Sequence, residues 1–149
     1  MTAAEQRQIL RKNRWICIQM EQYINRCLAP VGLTAIQAYI LLYILHHSDQ
    51  GTSLTAIHQE FGYSMATLSS MLKRLKEKGY VRVEHCAGDD RRKLLFATEK
   101  ATQVRDSLSH ITGQIQHRLY DCFSQEELVT LDRLQKKLLN NLTVLTQQS

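Results

Sequence analysis

The first third of the chain contains two stretches with the apolar patterning of helices. Apolar side chains recur at near-helical spacing over roughly residues 4–28, which predicts a long first helix that ends at Pro30-Val-Gly32. The residues Thr34-Ala-Ile-Gln37 have the form of a capping box and predict a second helix from Thr34. The body of this helix, AYILLYIL, is apolar almost all round, so we expect it to be buried on most sides.

Two shorter helices are predicted in the middle of the chain. Ser53 is placed to cap LTAIHQEFG, which ends at Gly62, and Ser64 is placed to cap MATLSSMLKRLKEKG, which ends at Gly79. Two short helices joined by a short turn that contains glycine form a helix-turn-helix. One side of the second helix is an apolar stripe, and the other side is small, polar or basic: Ala66, Thr67, Ser69, Ser70, Lys73 and Arg74.

A β-hairpin is predicted directly after the helix-turn-helix. Residues 80–85, YVRVEH, alternate apolar and polar side chains, and residues 93–97, KLLFA, form a second strand-like run. Between them lies CAGDDRR, a charged segment that favours a turn. A hairpin in this position is a wing, and we expect its tip to carry Arg91 and Arg92 toward DNA phosphates or a narrow minor groove.

From Thr98 the chain is predicted to form two long helices. Ser124-Gln-Glu-Glu127 is a capping box at the start of the last one. A sustained apolar seam follows it, formed by Leu128, Leu131, Leu134, Leu138, Leu142 and Leu145. The central region is too small to cover this seam and the first helix, so a second subunit is the simplest cover. The alternative is an intrachain bundle in which the terminal helices fold back on each other.

Composition and charge narrow the classes of protein. The 149 residues are 44% hydrophobic and 22% charged, with six glycines and one proline, as expected for one soluble domain of long helices. We expect no membrane-spanning helix, and the polar start MTAAEQRQILRKNR does not resemble a secretory signal, so a cytoplasmic protein is expected. The net charge is +5, and eight basic against four acidic side chains lie between residues 64 and 93. This localised charge suits a polyanion binder, although a solvated helix face is equally compatible with it.

Two runs in the middle of the chain carry a resemblance to a known family. They are FGYSMATLSSMLKRLKEKGY at residues 61–80 and GDDRRKLLFATEK at residues 88–100. The runs resemble the MarR family of bacterial transcriptional regulators, and the flanking helices fit that family's helical dimerisation region. Ala97 and Ala101 depart from the pattern, because leucine and glycine are usual there; both positions concern packing more than DNA contact.

The resemblance implies a mainly α fold with a small β-hairpin, in which a winged helix-turn-helix is flanked by N- and C-terminal dimerisation helices. Within a single domain, residues 34–98 would be the DNA-binding lobe, and residues 1–30 and 99–149 the dimerisation region. The implied function is a dimeric repressor that binds a pseudo-palindromic operator in double-stranded DNA, with recognition helices about 34 Å apart. The implied DNA-binding residues are Ser64, Ala66, Thr67, Ser69, Ser70, Lys73, Arg74, Asp90, Arg91 and Arg92.

Within this implied set the roles differ. The small polar side chains of the recognition helix would approach base edges, while Lys73 and Arg74 would serve phosphates or guanine. Arg91 would enter the minor groove, and Asp90 would pair with Arg92 to stiffen the wing. The family often responds to small aromatic ligands, and such an effector could lie in a cleft lined by Trp15, Tyr23, Tyr39 and Tyr43. The alternative for these four is an interface core.

Other classes of function are less well supported by the residues. The four cysteines form no CxxC pair, so we expect reduced, largely buried thiols rather than a zinc site or a disulfide framework. A thiol-responsive or metal-responsive regulator of the same fold stays open as an alternative, and His110 and His117 share a helix face. We expect no cofactor and no enzyme activity, because no phosphate-binding glycine loop, HExxH or GxSxG motif occurs. A helical protein-interaction adaptor is the remaining alternative.

Overall fold

The computed structural model describes residues 1–86 and 88–148, without the side chains of residues 89–92. Within these ranges the fold is mainly helical with one two-stranded antiparallel sheet, which confirms the predicted fold class. The order of elements is α1 (Ala3–Leu28), a 3-10 turn (Ala29–Val31), α2 (Ala35–His46), α3 (Leu54–Phe61), α4 (Met65–Glu77), β1 (Val81–Cys86), β2 (Asp89–Ala97), α5 (Glu99–Tyr120) and α6 (Gln125–Gln147).

The helix starts lie where the capping residues predict them. Thr34 with Gln37 and Ser124 with Glu127 form complete capping boxes, and Ser53 and Ser64 cap α3 and α4. Each hydroxyl accepts a hydrogen bond from a backbone N–H that has no partner within the helix. At Glu127 the hydrogen bond from the Ser124 backbone N–H holds the pKa of the carboxyl below its usual value. One capping box was not predicted: Thr2 and Glu5 start α1 in the same way.

The chain divides into two compact units, Met1–Thr112 and Gly113–Ser149, and the division falls inside α5. The core of the first unit lies around α2, whose neighbours are α1, α4 and β2. Its side chains Ile40, Leu41 and Ile44 are at most 1% exposed, as the apolar sequence of this helix predicts. In the second unit Ile115 is buried, whereas the leucines of α6 from Leu134 onward are about half exposed within the chain.

No single helix among the described residues is long and apolar enough to cross a membrane. Ala3–Val31 and Ala35–His46 meet that criterion only when they are taken together. The two segments are bent by 66° relative to each other, and much of the second is buried in the protein.

The hairpin has an irregular register near its tip. His85 pairs with Lys93 but Cys86 pairs with Asp89, so residues 90–92 form an interruption in the ladder on the β2 side. A bulge of this kind accommodates extra residues in one strand, here β2, so that the two strands pair again beyond it. The second strand therefore begins at Asp89, four residues earlier than the predicted Lys93, and the backbone of Arg91 and Arg92 belongs to the strand rather than to a free loop.

The hairpin is attached to the connection between α2 and α3. Thr52 pairs with Leu95 through two backbone hydrogen bonds of 3.1 and 2.7 Å, and the Ser48 hydroxyl accepts a bond from the Ala97 N–H. Gly51 has a positive φ of 78°, and an added Cβ would lie 2.7 Å from the Phe96 ring. Both the backbone conformation and the ring require glycine at this position.

We expect Gly51→Ala to reduce the free energy of unfolding by about 2 kcal/mol, from the left-handed conformation and from displacement of the Phe96 ring. The matched control is Gly62→Ala, because Gly62 has a similar φ of 76° with open space around the added Cβ. That control should cost only about 1 kcal/mol. Urea denaturation of both variants measures the difference, and equal losses would show that the Phe96 contact contributes nothing.

Candidate nucleic-acid interface

Helix α4 has a buried face and an exposed polar face. Leu68 and Leu75 are fully buried, and Met71 and Leu72 are half-buried, so the predicted apolar stripe faces the protein. On the other side Thr67 is half-buried, and the remaining predicted DNA-binding residues of this helix are exposed: Ser64, Ala66, Ser69, Ser70, Lys73 and Arg74. This face combines small side chains, which allow close approach to a ligand, with two cations at its C-terminal end.

The hydroxyl groups at the start of α4 are partly engaged with each other. The Ser64 hydroxyl accepts a bond from the Thr67 N–H at 3.1 Å and donates to the Thr67 hydroxyl at 2.9 Å. Ser64 therefore acts first as the helix cap, while Thr67 keeps its own hydroxyl proton for an outside acceptor. The hydroxyls of Ser69 and Ser70 have no protein partner among the described residues, so they are available to a ligand.

The turn between α3 and α4 is fixed by glycine and by aromatic rings. Gly62 adopts the left-handed conformation and its N–H donates to the His58 carbonyl at 2.8 Å. The Phe61 and Tyr63 rings stack with centroids 5.9 Å apart, and His58 Nδ1 donates to the Tyr63 carbonyl at 2.6 Å. These contacts set the direction in which α4 leaves the turn, and so the orientation of its exposed face.

The wing carries an additional cation that the sequence reasoning did not single out. Arg82 lies 4.5 Å from the centroid of the Phe96 ring, which is its cross-strand partner, and is paired with Glu84. The alternating pattern of residues 80–85 could have identified Arg82, because it places Arg82 and Glu84 on the same side of β1. The carboxylate offsets the charge of the guanidinium, so Arg82 contributes less to a basic surface than an unpaired arginine.

Three predicted site residues lie at the irregular part of the hairpin. The backbone of Asp90, Arg91 and Arg92 belongs to β2, while their side chains lie outside the described residues. The predicted Asp90–Arg92 pair and the outward reach of Arg91 therefore stay predictions. Lys93, a described cation next to them on β2, is exposed. The hairpin therefore adds at least one exposed positive charge to those of Lys73 and Arg74 on α4.

The four aromatic residues of the predicted effector cleft are not equivalent. Trp15 is 63% exposed and makes no ring contact among the described residues, whereas Tyr23, Tyr39 and Tyr43 are half-buried. The Tyr43 ring stacks on His47 at 4.1 Å and meets Phe61 edge-on at 5.7 Å.

Phe61 and Tyr63 belong to the same aromatic cluster and were missed. Burial raises the pKa of the Tyr63 hydroxyl above its usual value, and Tyr39 and Glu21 raise it further, so this phenol is neutral near pH 7. The sequence signal was the Phe61-Gly-Tyr63 run at the helix-turn-helix turn, where two rings flank a left-handed glycine.

Within the described part of the chain the cysteines and histidines form no candidate site. All four thiols are free; Cys17 and Cys122 are exposed, and Cys27 and Cys86 are half-buried, so the expectation of largely buried cysteines is wrong. Within residues 1–86 and 88–148 no three His, Cys, Asp or Glu side chains are grouped so that they could hold a metal ion.

Comparison with known proteins gives one family and one fold. Residues 31–92 match the model of the MarR family. Three similar solved structures are MepR from S. aureus in complex with DNA, a MarR family regulator from Listeria monocytogenes with a 26mer DNA, and a cysteine mutant of E. coli MarR with operator DNA. Sequence identities are 23%, 22% and 24%, and TM-scores are 0.77, 0.77 and 0.74. The alignments cover 87%, 89% and 89% of this chain and 92%, 87% and 96% of those chains.

The structural likeness extends well beyond the segment that the family model matches. It includes α1 and the C-terminal helices, because it covers close to nine tenths of the chain in each comparison. The observed helix-turn-helix and hairpin lie inside or adjoin the matched residues 31–92. The chain therefore contains a segment that matches the MarR family model, and its fold is that of the MarR-type structures to which it is similar.

Proposed function

We propose that this protein is a sequence-specific DNA-binding repressor that acts as a homodimer on a pseudo-palindromic operator. The observation that carries the proposal is the exposed face of α4, where small hydroxyl side chains precede two exposed cations, Lys73 and Arg74. A basic hairpin follows this helix directly and is attached to the same unit. The same fold occurs in similar proteins that were solved with DNA, which supports reading this face as a DNA interface.

Each part of the surface has a physical role in this proposal. The hydroxyls of Ser69 and Ser70 both donate and accept hydrogen bonds, so they suit base edges in the major groove. Lys73 and Arg74 neutralise phosphates, which adds affinity without sequence information. Arg91 enters the adjacent minor groove, where a narrow groove concentrates negative potential. The residues 34–98 form the DNA-binding lobe.

The dimer is proposed from the exposed apolar side chains of the terminal helices. Leu134, Leu138, Leu142 and Leu145 are 47–52% exposed and recur along one side of α6. On α1, Ile9 and Ile16 are 46% and 52% exposed. Apolar surface of this extent is typical of an interface between subunits, and two-fold symmetry would present two recognition helices to two half-sites. The dimerisation region consists of residues 1–30 and 99–149.

The regulatory signal is proposed to be a small aromatic effector. The half-buried rings of Tyr23, Tyr39 and Tyr43 offer the effector stacking surfaces. Trp15, which precedes Tyr23 on α1 and is more exposed, is the fourth ring of the proposed cleft. An effector bound beside Tyr43 would act on α4 because Tyr43 contacts Phe61 at the start of the helix-turn-helix turn. The proposal gives the chain a regulatory rather than a catalytic role, in the cytoplasm.

Arg91→Ala should weaken binding to every duplex and lower the salt dependence of binding by about one phosphate contact. A suitable probe is a duplex of about 30 bp that the wild-type protein enriches from a random library, since it holds two half-sites one turn apart. The matched control is Arg105→Ala, which removes the same charge from an exposed position on α5. Equal behaviour of the two variants would contradict the role of the wing.

Ser70→Ala should alter base preference rather than general affinity, because loss of one base contact changes discrimination by about 1–3 kcal/mol at one position. Repeating the selection from the random library with the variant measures this preference. Ser107→Ala, at an exposed serine of α5, is the control and should leave the selected sequence unchanged. An unaltered preference in Ser70→Ala would remove this residue from the base-reading set.

Leu138→Glu should shift the protein toward monomer, because a charge buried in the proposed interface costs free energy. Asn140→Glu places the same charge on another side of α6 and should leave the dimer intact. Sedimentation equilibrium at micromolar concentration separates the two outcomes. A wild-type protein that sediments as a monomer would refute the dimer.

A further inference from the structure

Lys78, at the C-terminal end of α4, reaches back to the connection between α1 and α2. Its ammonium group donates to the Gly32 carbonyl at 2.5 Å and lies 3.5 Å from the side-chain oxygen of Gln37. These contacts join residues that are 46 and 41 positions apart in the sequence. A long-range link of this kind fixes one end of the recognition helix to the point where α1 meets α2.

The acceptors of Lys78 are themselves held in place. Gln37 is only 3% exposed, and its side-chain oxygen also accepts the Thr34 N–H at 3.1 Å in the capping box of α2. Gly32 ends the 3-10 turn in the left-handed conformation, and its N–H donates to the Ala29 carbonyl. The lysine side chain therefore bonds to a rigid junction, whereas an ordinary surface lysine swings freely in water.

The same short segment is fastened from the other side by the start of α5. Lys100 donates to the Lys78 carbonyl at 2.5 Å, and its ammonium group lies 4.7 Å from the centroid of the Tyr80 ring. The Thr98 hydroxyl donates to the Gly79 carbonyl at 2.6 Å. Residues 78–80 thus form a node at which the end of α4 is tied to the α1–α2 junction and to α5.

We propose that Lys78 is a positioning residue that sets the placement of the recognition helix relative to the α1–α2 junction. This inference rests on the proposed DNA-binding function. Lys73 and Arg74 lie about one helical turn before Lys78, so a shift of this end of α4 displaces both cations from their phosphates.

A direct phosphate contact by Lys78 is the competing role for an exposed lysine. An ammonium group has three donors, and two of them are directed at Gly32 and Gln37. The two roles differ in measurable ways. A phosphate contact contributes to the salt dependence of binding, whereas a positioning contact changes affinity and backbone protection without changing the number of counterions released.

The test uses Lys78→Met, which keeps the length of the side chain and removes its charge, with Lys78→Arg as the conservative variant. The control is Lys76→Met, because Lys76 is exposed on the same helix and its side chain has no partner among the described residues. Two quantities are measured in the full-length protein. They are the affinity for the duplex enriched by the wild-type protein as a function of salt, and amide hydrogen exchange near the node.

We expect Lys78→Met to weaken binding by about fivefold with an unchanged salt slope, since one charge-assisted hydrogen bond at an exposed site is lost. Exchange should become faster at the amides of Gly32, Lys78, Gly79 and Tyr80, whose bonds border the link. Lys78→Arg should restore most of both properties, and Lys76→Met should leave the exchange rates unchanged.

Two results would overturn the proposal. A salt slope lowered by about one with unchanged exchange would assign Lys78 to a phosphate instead. Unchanged affinity together with unchanged exchange would show that the link has no positioning effect. Exchange is measured without DNA, so faster exchange in Lys78→Met supports the link even if the wild-type protein enriches no duplex. A failure to enrich any duplex would count against the DNA-binding function alone.

Discussion

Because α2 is apolar on almost every side, it has to be covered on almost every side, and the other elements of Met1–Thr112 are arranged by this requirement. Complete burial of a side chain such as Ile40, Leu41 or Ile44 stabilises the fold by roughly 1.5–3 kcal/mol each. The cover is supplied by α1, α4 and β2, which all contact α2. Helix α4 and the second strand of the hairpin therefore share one support, so the two parts of the proposed DNA interface are held in one arrangement.

The polar face of α4 is exposed because the apolar side chains on its opposite face are buried in the protein. Ser69 and Ser70 are presented to solvent because Leu68 and Leu75, on the same helix, are fully buried. The base of the wing is held by the Thr52–Leu95 bridge, and Gly51 makes room for the Phe96 ring on which Arg82 lies. A surface that is ordered before binding loses less conformational entropy when the ligand arrives, which favours affinity.

Local rules predicted the elements well and their long-range contacts poorly. Capping residues are effective predictors because the cap and the N–H groups it satisfies lie within three or four residues of each other, as at Ser64 and Ser124. The start of β2 was placed four residues too late because charge and turn propensity around residues 86–92 favoured a loop, while pairing with β1 extended the strand. The contact of Phe61 with Tyr43 of α2 depends on how α3 packs, which no local pattern contains.

The sequence by itself determined six helices and a hairpin, the two-sided character of α4, and the placement of basic residues after it, because periodicity, caps and charge act over a few residues. The tertiary structure decided which distant groups meet. The bond from Lys78 to Gly32, the Thr52–Leu95 bridge and the edge-on contact of Tyr43 with Phe61 all arise from packing around α2. A lysine, a threonine and a tyrosine look like ordinary surface or core residues in the sequence, and only the packed chain gives each of them a specific partner.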